Sequence, residues 1–227
     1  DPQSDVDLAF VQGGTGAQAQ SGNIVSLASL YFEPLWVFYR GDRVVNQLTE
    51  FAQHRISIGA EGSGTRAVAL TLLEANHLDR ASDYVLSMGN REAQTALMSG
   101  DIDAAFFVAS PRSRLVQDLL RHEGIRLMSF ERATAYTRRH HYLSEVTLPE
   151  GVIDLQVNIP PRDTTLLAAS ANLVAKDDFH PALVSLLLQI AAKVHSGGDL
   201  LEKPGDFPSA RNLDFPLDDE AARYFKQ

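Results

Sequence analysis

A chain of 227 residues, 44% of them hydrophobic, can bury a large core and makes one large or two small domains. Its formal net charge of -9 opposes nucleic acid and anionic membrane as partners. The lack of cysteine excludes disulfides, thiolate metal sites and thiol nucleophiles, and leaves the redox compartment open. No signal-peptide pattern is present, and the longest apolar run, 182–194, carries Ser185, Gln189 and Lys193 and is too short to span a bilayer.

In chain order, 6–11 reads as a buried-type strand that runs straight into Gln12-Gly13-Gly14-Thr15-Gly16. Residues 24–30 and 36–39 read as two further strands, and Gly41-Asp42 breaks the second. Residues 46–53 predict a short helix feeding the strand 55–58. Three glycines, Gly59, Gly62 and Gly64, then lead into a helix over the apolar run 67–78. A strand at 84–88 follows, and Asn90 is a suitable N-cap for a helix over 91–99 that Gly100 stops. The unbroken apolar stretch from Ala104 to Val108 suits a strand covered on both faces. Ser110 and Pro111 open a helix through His122, and 125–130 is strand-like.

Between Glu131 and Pro161 the pattern loosens, with loop signals at 138–141, 149–151 and 160–162. Order returns with an extended apolar segment at 164–175, a helix at 178–194 and a short terminal helix at 218–225. Alternating strands and helices predict an α/β fold with mainly parallel sheets. A core-like element after a long irregular excursion predicts two lobes with more than one crossing: 1–40 in lobe 1, 41–160 in lobe 2, and 161–227 returning to lobe 1 and ending in a tail.

The stretch Gly59 to Arg66 carries the chemistry. The first N–H groups of a helix have no intrahelical acceptors, so with the positive end of the helix dipole and the hydroxyls of Ser63 and Thr65 they make an anion cradle. Gly59 and Gly64 stand at the P-loop separation, but Thr65 occupies the lysine position and Arg66 that of the Mg²⁺-binding hydroxyl, which argues against nucleotide hydrolysis. Residues 62–67 and 14–19 both fit G-x-G-x-x-A, yet after 84–88 comes only Gly89-Asn90 where a ribose-binding acid is required. A nucleophilic serine would need glycines two residues either side, and Ser63 has Glu61 and Thr65 there. The plain alternative is a tight strand-to-helix turn with no ligand.

The other candidates are weaker. His140-His141 lacks a second pair at metal-like spacing and reads as a solvated loop, so no metal or cofactor is implied. Asp101 and Asp103 could form a carboxylate pair, but read better as caps of the strand that follows. Trp36, Phe38 and Phe106-Phe107 read mainly as core, with Phe107 a candidate pocket residue. Tyr31, Glu33 and Arg112 are lone polar candidates that spacing does not rank.

Three stretches together, Val6-Asp7-Leu8-Ala9-Phe10-Val11-Gln12-Gly13, Ile58-Gly59-Ala60-Glu61-Gly62-Ser63-Gly64-Thr65-Arg66 and Ser99-Gly100-Asp101-Ile102-Asp103-Ala104-Ala105-Phe106-Phe107, resemble in order and spacing the signatures of the TAXI family of solute receptors for TRAP transporters. The resemblance covers nearly the whole chain. It implies a type II periplasmic-binding-protein fold, with two α/β lobes closing on a solute in the cleft between them. It also implies a periplasmic or extracytoplasmic binding protein, not an enzyme, that passes a small carboxylate or amino acid to a membrane permease. In that family the loop matching Gly62, Ser63, Gly64 and Thr65 holds the ligand's carboxylate, with Arg66 adjacent, and the loop matching Gln12, Gly13, Gly14 and Thr15 faces it. Family members begin with a further strand and helix, so the resemblance implies that the N-terminal part of lobe 1 is missing here. The tail resembles members that continue into a C-terminal membrane segment, which implies a tether beyond this sequence. The competing readings are the sensor domain of a regulator and an enzyme, such as a dehydratase, using Asp103, Glu33 or a histidine as base.

Overall fold

The computed structural model describes residues 6–16, 23–79 and 82–226. They form an α/β protein with two compact units. Unit 1 takes the chain up to Glu33, Thr137–Ser144 and everything from Ala169 onward; unit 2 takes Pro34–Tyr136 and Glu145–Ala168.

In unit 1, β1 (Leu8–Gln12) pairs antiparallel with β8 (Thr164–Lys176), setting Gln12 opposite Ala171. The first half of β2 (Ile24–Arg40) lies in this unit, and Leu27, Ala28 and Leu30 from it pack with Leu173 and Ala175 of β8. Val184, Leu188 and Ala191 of α5 (Pro181–His195) and Ala221 of α6 (Asp219–Tyr224) complete the core. Pro181 opens α5 where a missing N–H costs nothing. The tail then runs along β2: Ser26 donates to the Pro216 carbonyl at 2.8 Å, and Ser29 and Ser209 exchange backbone bonds of 2.8 and 2.9 Å.

Unit 2 is built on crossovers. β3 (Ile56–Ser57), α1 (Gly64–Ala75) and β4 (Val85–Leu86) make one strand-helix-strand step, and α2 (Asn90–Ser99) leads on to β5 (Ala104–Val108). β3 pairs in parallel with both β4 and β5, as helical crossovers require. The sheet is nevertheless mixed, not mainly parallel: the second half of β2 runs antiparallel to β5 and to β6 (Ile125–Leu127), because it enters from unit 1 instead of returning through a helix. α3 (Arg114–Arg121) precedes β6. The core holds Trp36, Phe38, Phe106, Phe107, Leu72 and Leu97, each at most 1% exposed. Trp36 Nε1 donates to the Ala109 carbonyl at 2.8 Å.

The segments 24–30 and 36–39, expected as two strands, are one strand of 17 residues. Pro34 does not break it, because a fixed φ near -65° suits extended backbone. The loose region contains α4 (Ala133–Arg139), which buries only Ala133 and Tyr136, and β7 (Leu143–Leu148), which pairs with β8. A short helix with two apolar contacts leaves too little periodicity to read.

Leu72 of α1 is fully buried and anchors the helix whose start carries the glycine loop. Leu72→Ala should cost about 2–5 kcal/mol. Denaturant unfolding followed at Trp36, the single tryptophan, measures it.

Candidate functional site

The loop from β3 to α1 is held by local bonds. Gly59 has φ +93°, and a Cβ there would stand 2.8 Å from Ser63 Oγ and 2.9 Å from Thr65 Cβ, so only glycine lets the loop fold back over the helix start. Ser63 is the N-cap: its Oγ accepts from the Arg66 N–H at 3.2 Å and donates to the Ala60 carbonyl at 2.8 Å. Its hydroxyl hydrogen is therefore committed to the loop, not offered outward. Thr65 is 5% exposed, and its Oγ1 accepts from the Val108 N–H at 3.0 Å, tying α1 to the end of β5. The first turn of α1 holds no acidic residue, so its positive end is uncompensated from within, and Thr65, at the second helical position, has no helical carbonyl for its N–H.

Arg66 lies beside this helix start. Its Nη2 pairs with Glu61 Oε1 at 2.9 Å, and the Glu61 side chain is 77% exposed. Its Nη1 is buried and has no hydrogen-bond partner. A guanidinium with a buried, unused donor beside the positive end of a helix can bind an oxyanion.

The turn Gln12 to Gly16 of unit 1 is different. Gly13 donates to the Ser170 carbonyl at 2.9 Å and Thr15 to that of Gln12 at 3.3 Å. Gly14 donates to both oxygens of Asp214 at 3.0 and 2.8 Å, and Gly16 to Oδ2 at 2.9 Å. The Thr15 hydroxyl is also turned inward, onto the Gln12 carbonyl at 2.6 Å. This turn is an anion nest already filled by the protein's own carboxylate. Gly14, at φ +88°, admits no side chain, since a Cβ would lie 2.5 Å from the Tyr142 ring.

A second polar group of unit 1 lies on β2. Tyr31 stacks on His195 with ring centroids 5.6 Å apart. Glu33, two residues on and so on the same face, has a buried Oε2 with no hydrogen-bond partner. Burial raises the Glu33 pKa, and burial followed by the charge of Glu33 raises that of Tyr31. Burial holds His195 below its ordinary value. Between these two, the Phe32 N–H donates to Glu202 Oε1 at 2.7 Å. Burial raises the Glu202 pKa, this hydrogen bond opposes the rise, and Asp199 and Asp206 add to it.

The remaining candidates have structural roles. Phe107 is fully buried against Phe38, 6.2 Å between rings, so it is core and not a pocket wall. Asp103 accepts from the Arg55 N–H at 2.8 Å and Asp101 from the Ser99 hydroxyl at 2.6 Å, which fixes both at the start of β5. The Arg112 N–H turns back onto Ser110 Oγ at 3.2 Å. His140 packs edge-on to Tyr142, and burial followed by the charge of Arg139 lowers its pKa. Among the described residues no three His, Asp or Glu side chains stand at metal-binding distances. No helix of these residues is long and apolar enough to cross a membrane. Asp214, Glu61 and Glu202 were not singled out in the sequence, and no local motif marks them: each takes its role from a neighbour set by the fold.

The family model described as the NMT1-like family matches residues 3–226. Among solved structures, the periplasmic aliphatic sulphonate binding protein SsuA of Escherichia coli aligns with TM-score 0.54 and 13% identity, over 85% of this chain and 56% of that one. The putative sulfonate-binding SsuA of Methylobacillus flagellatus gives TM-score 0.52 and 12% identity, over 84% and 50%. The regulatory domain of Synechocystis CcmR, solved with 2-PG, gives TM-score 0.51 and 13% identity, over 85% and 75%. The chain thus has the fold of periplasmic binding proteins, and spans about half the length of the two sulphonate-binding proteins.

Two outcomes follow from this geometry. Ser63→Ala removes the cap of α1 and should cost about 0.5–2 kcal/mol, read from denaturant midpoints. For Glu33 the folded protein holds the proton more tightly than the unfolded chain, whose value is near 4.5, so stability is full below that pH and falls as pH rises through the folded value. Glu33→Gln should therefore melt higher than the parent at pH 7, with the gain vanishing below about pH 4.5. Paired scanning calorimetry across pH cancels the histidines, which are common to both proteins.

Proposed function

The chain belongs to the NMT1-like family, and we propose that it is an extracytoplasmic solute receptor that captures the carboxylate of a small acid or amino acid and hands it to a TRAP-type permease, in the manner of the TAXI receptors its motifs resemble. The observation that supports this reading is the unpartnered, buried Nη1 of Arg66 beside a helix start without an acidic residue. A buried donor left without an acceptor is costly, and a carboxylate would satisfy it together with the Thr65 N–H. Ser63 then acts as the cap that aims those groups, and Glu61 as an exposed placeholder on the other guanidinium nitrogen. The amides of Gly13, Gly14, Thr15 and Gly16 are left out of the clamp, because each already has an acceptor.

The reading requires binding without turnover. Of the candidate carboxylate bases, Asp103 is committed to the Arg55 amide at the start of β5. A second reading, the sensing domain of a regulator, has the fold of the Synechocystis regulatory domain in its favour. It shares the same binding act and differs in what the loaded protein contacts.

A thermal-shift screen of small carboxylates and amino acids on the full-length protein identifies a solute, since a ligand of the folded state raises the melting temperature. In calorimetry with that solute, Arg66→Ala should weaken binding by about 10- to 100-fold, the loss expected for a charge-assisted hydrogen bond. Glu61→Gln should bind at least as tightly as the parent. Unchanged affinity in Arg66→Ala would sink the assignment.

A further inference from the structure

Unit 2 carries an apolar tip and an apolar groove side by side. The tip is the turn 154–158, where Leu155 is 87% and Val157 61% exposed. This turn is tightly bonded. Asp154 and Ile159 exchange backbone bonds of 3.1 and 2.9 Å, and Asp154 Oδ1 accepts from the Gln156 N–H at 3.1 Å and the Val157 N–H at 3.4 Å. At the stem Gly151 donates to the Pro160 carbonyl at 2.9 Å, and Asn158 Nδ2 to Glu150 Oε1 at 2.8 Å. Asp154 Oδ2 also meets Arg121 Nη2 of α3 at 3.5 Å. Two aliphatic side chains are thus held in water in a fixed shape, with the cost of ordering already met, which suits a contact better than a solvated loop.

The chain leaves the tip through Ile159, Pro160 and Pro161, which line a groove of about 590 Å³. Leu119 and Leu120 of α3, Ile125 and Leu127 of β6, and Val44, itself 40% exposed, line it too. Pockets of about 300–1,000 Å³ take a drug-sized molecule, so a pair of aliphatic side chains fits. The charge of this face points to what fills it. A chain of net charge -9 repels its own copies at long range, so two copies can meet only where the surface charge is balanced. Here it is: Asp42 and Glu123 line the groove together with Arg126 and Arg162, and the one charge of the tip, Asp154, is paired with Arg121. A small acid would gain little from such a lining. A face that holds both a tip and a groove is self-complementary, and a two-fold axis closes the contact with each tip in the other's groove.

We propose that this face of unit 2 is where two copies of the chain pair, Leu155 and Val157 of each copy entering the groove of the other. Two aliphatic anchors per copy make a small interface, so the pair forms in the range of about 10–100 µM and not as an obligate dimer. Neither the tip nor the groove includes a residue of the acid site, so the pairing goes beyond the receptor reading and its failure would leave that reading where it stands.

Sedimentation velocity of the full-length protein from about 5 to about 500 µM reads the association. The weight-average mass of the parent should rise toward twice that of one copy. The double variant Leu155→Asp, Val157→Asp, changed only at exposed positions, should associate at least about tenfold more weakly. Val44→Arg, which fills the groove from an exposed position and leaves the tip intact, should do the same. Unchanged circular dichroism and melting temperature establish that both variants are folded. An equimolar mixture of the two restores one tip-in-groove contact per pair, and should associate more tightly than either variant alone. A parent that stays monomeric overturns the proposal and leaves the groove to another partner. A dimer that persists in the tip variant or in Val44→Arg overturns it as well, and a mixture no tighter than its components overturns the insertion of tip into groove.

Discussion

Every buried backbone N–H must find an acceptor, and the two glycine turns of this protein meet that constraint in opposite ways. In unit 1 the amides of Gly14 and Gly16 are closed off by Asp214, a residue of the tail. The carboxylate is delivered there by the register of the tail on β2, where Ser26 bonds to Pro216 and Asp218, and Ser29 to Ser209. Moving the tail by one residue would turn Asp214 to the other side and strand the turn. The tail thus acts as structure, holding α6 on α5 and keeping the nest filled.

In unit 2 the amides of Ser63 and Arg66 are met within the loop itself, by the Ala60 carbonyl and Ser63 Oγ. Ser63 and Thr65 spend their hydroxyl lone pairs on the Arg66 and Val108 amides, which makes the loop stiff and fixes where the start of α1 points. What the loop does not supply is an anion of its own in the first turn. Glu61 pairs with the Arg66 guanidinium from an exposed position, and an exposed ion pair contributes little and exchanges easily. A rigid frame around an unfilled donor set is the arrangement that preorganised binding requires, because the cost of ordering is met at folding and not at capture.

Much of this was legible in the sequence. The three glycines, the cap and the helix at 59–66 follow from local chemistry, as do the α2 stop at Gly100 and the buried strand after Asp103. The parts that were not legible depend on distance along the chain. The nest at Gly14 to Gly16 read as an open anion site because its occupant stands 200 residues away. Phe107 read as a possible wall because a strand buried on both faces and one with an exposed end share the same apolar run. The orientation of β2 was hidden for a similar reason: a helical crossover announces a parallel pair, while a strand arriving from another unit carries no such mark.

Arg66 Nη1 of unit 2 and Glu33 Oε2 of unit 1 are charged-group atoms buried without a hydrogen-bond partner, as are the neutral Ser57 Oγ, Ser170 Oγ and Asn172 Oδ1 and the His140 Nε2. Within a unit each is a defect: a donor or acceptor stripped of water with nothing returned. Core packing elsewhere does not require them, since Leu72 and Trp36 in unit 2 and Leu27 and Leu188 in unit 1 bury their surfaces without charged neighbours in the core. Either charged defect could be removed by a neutral side chain with a gain in stability, so stability alone does not account for keeping both.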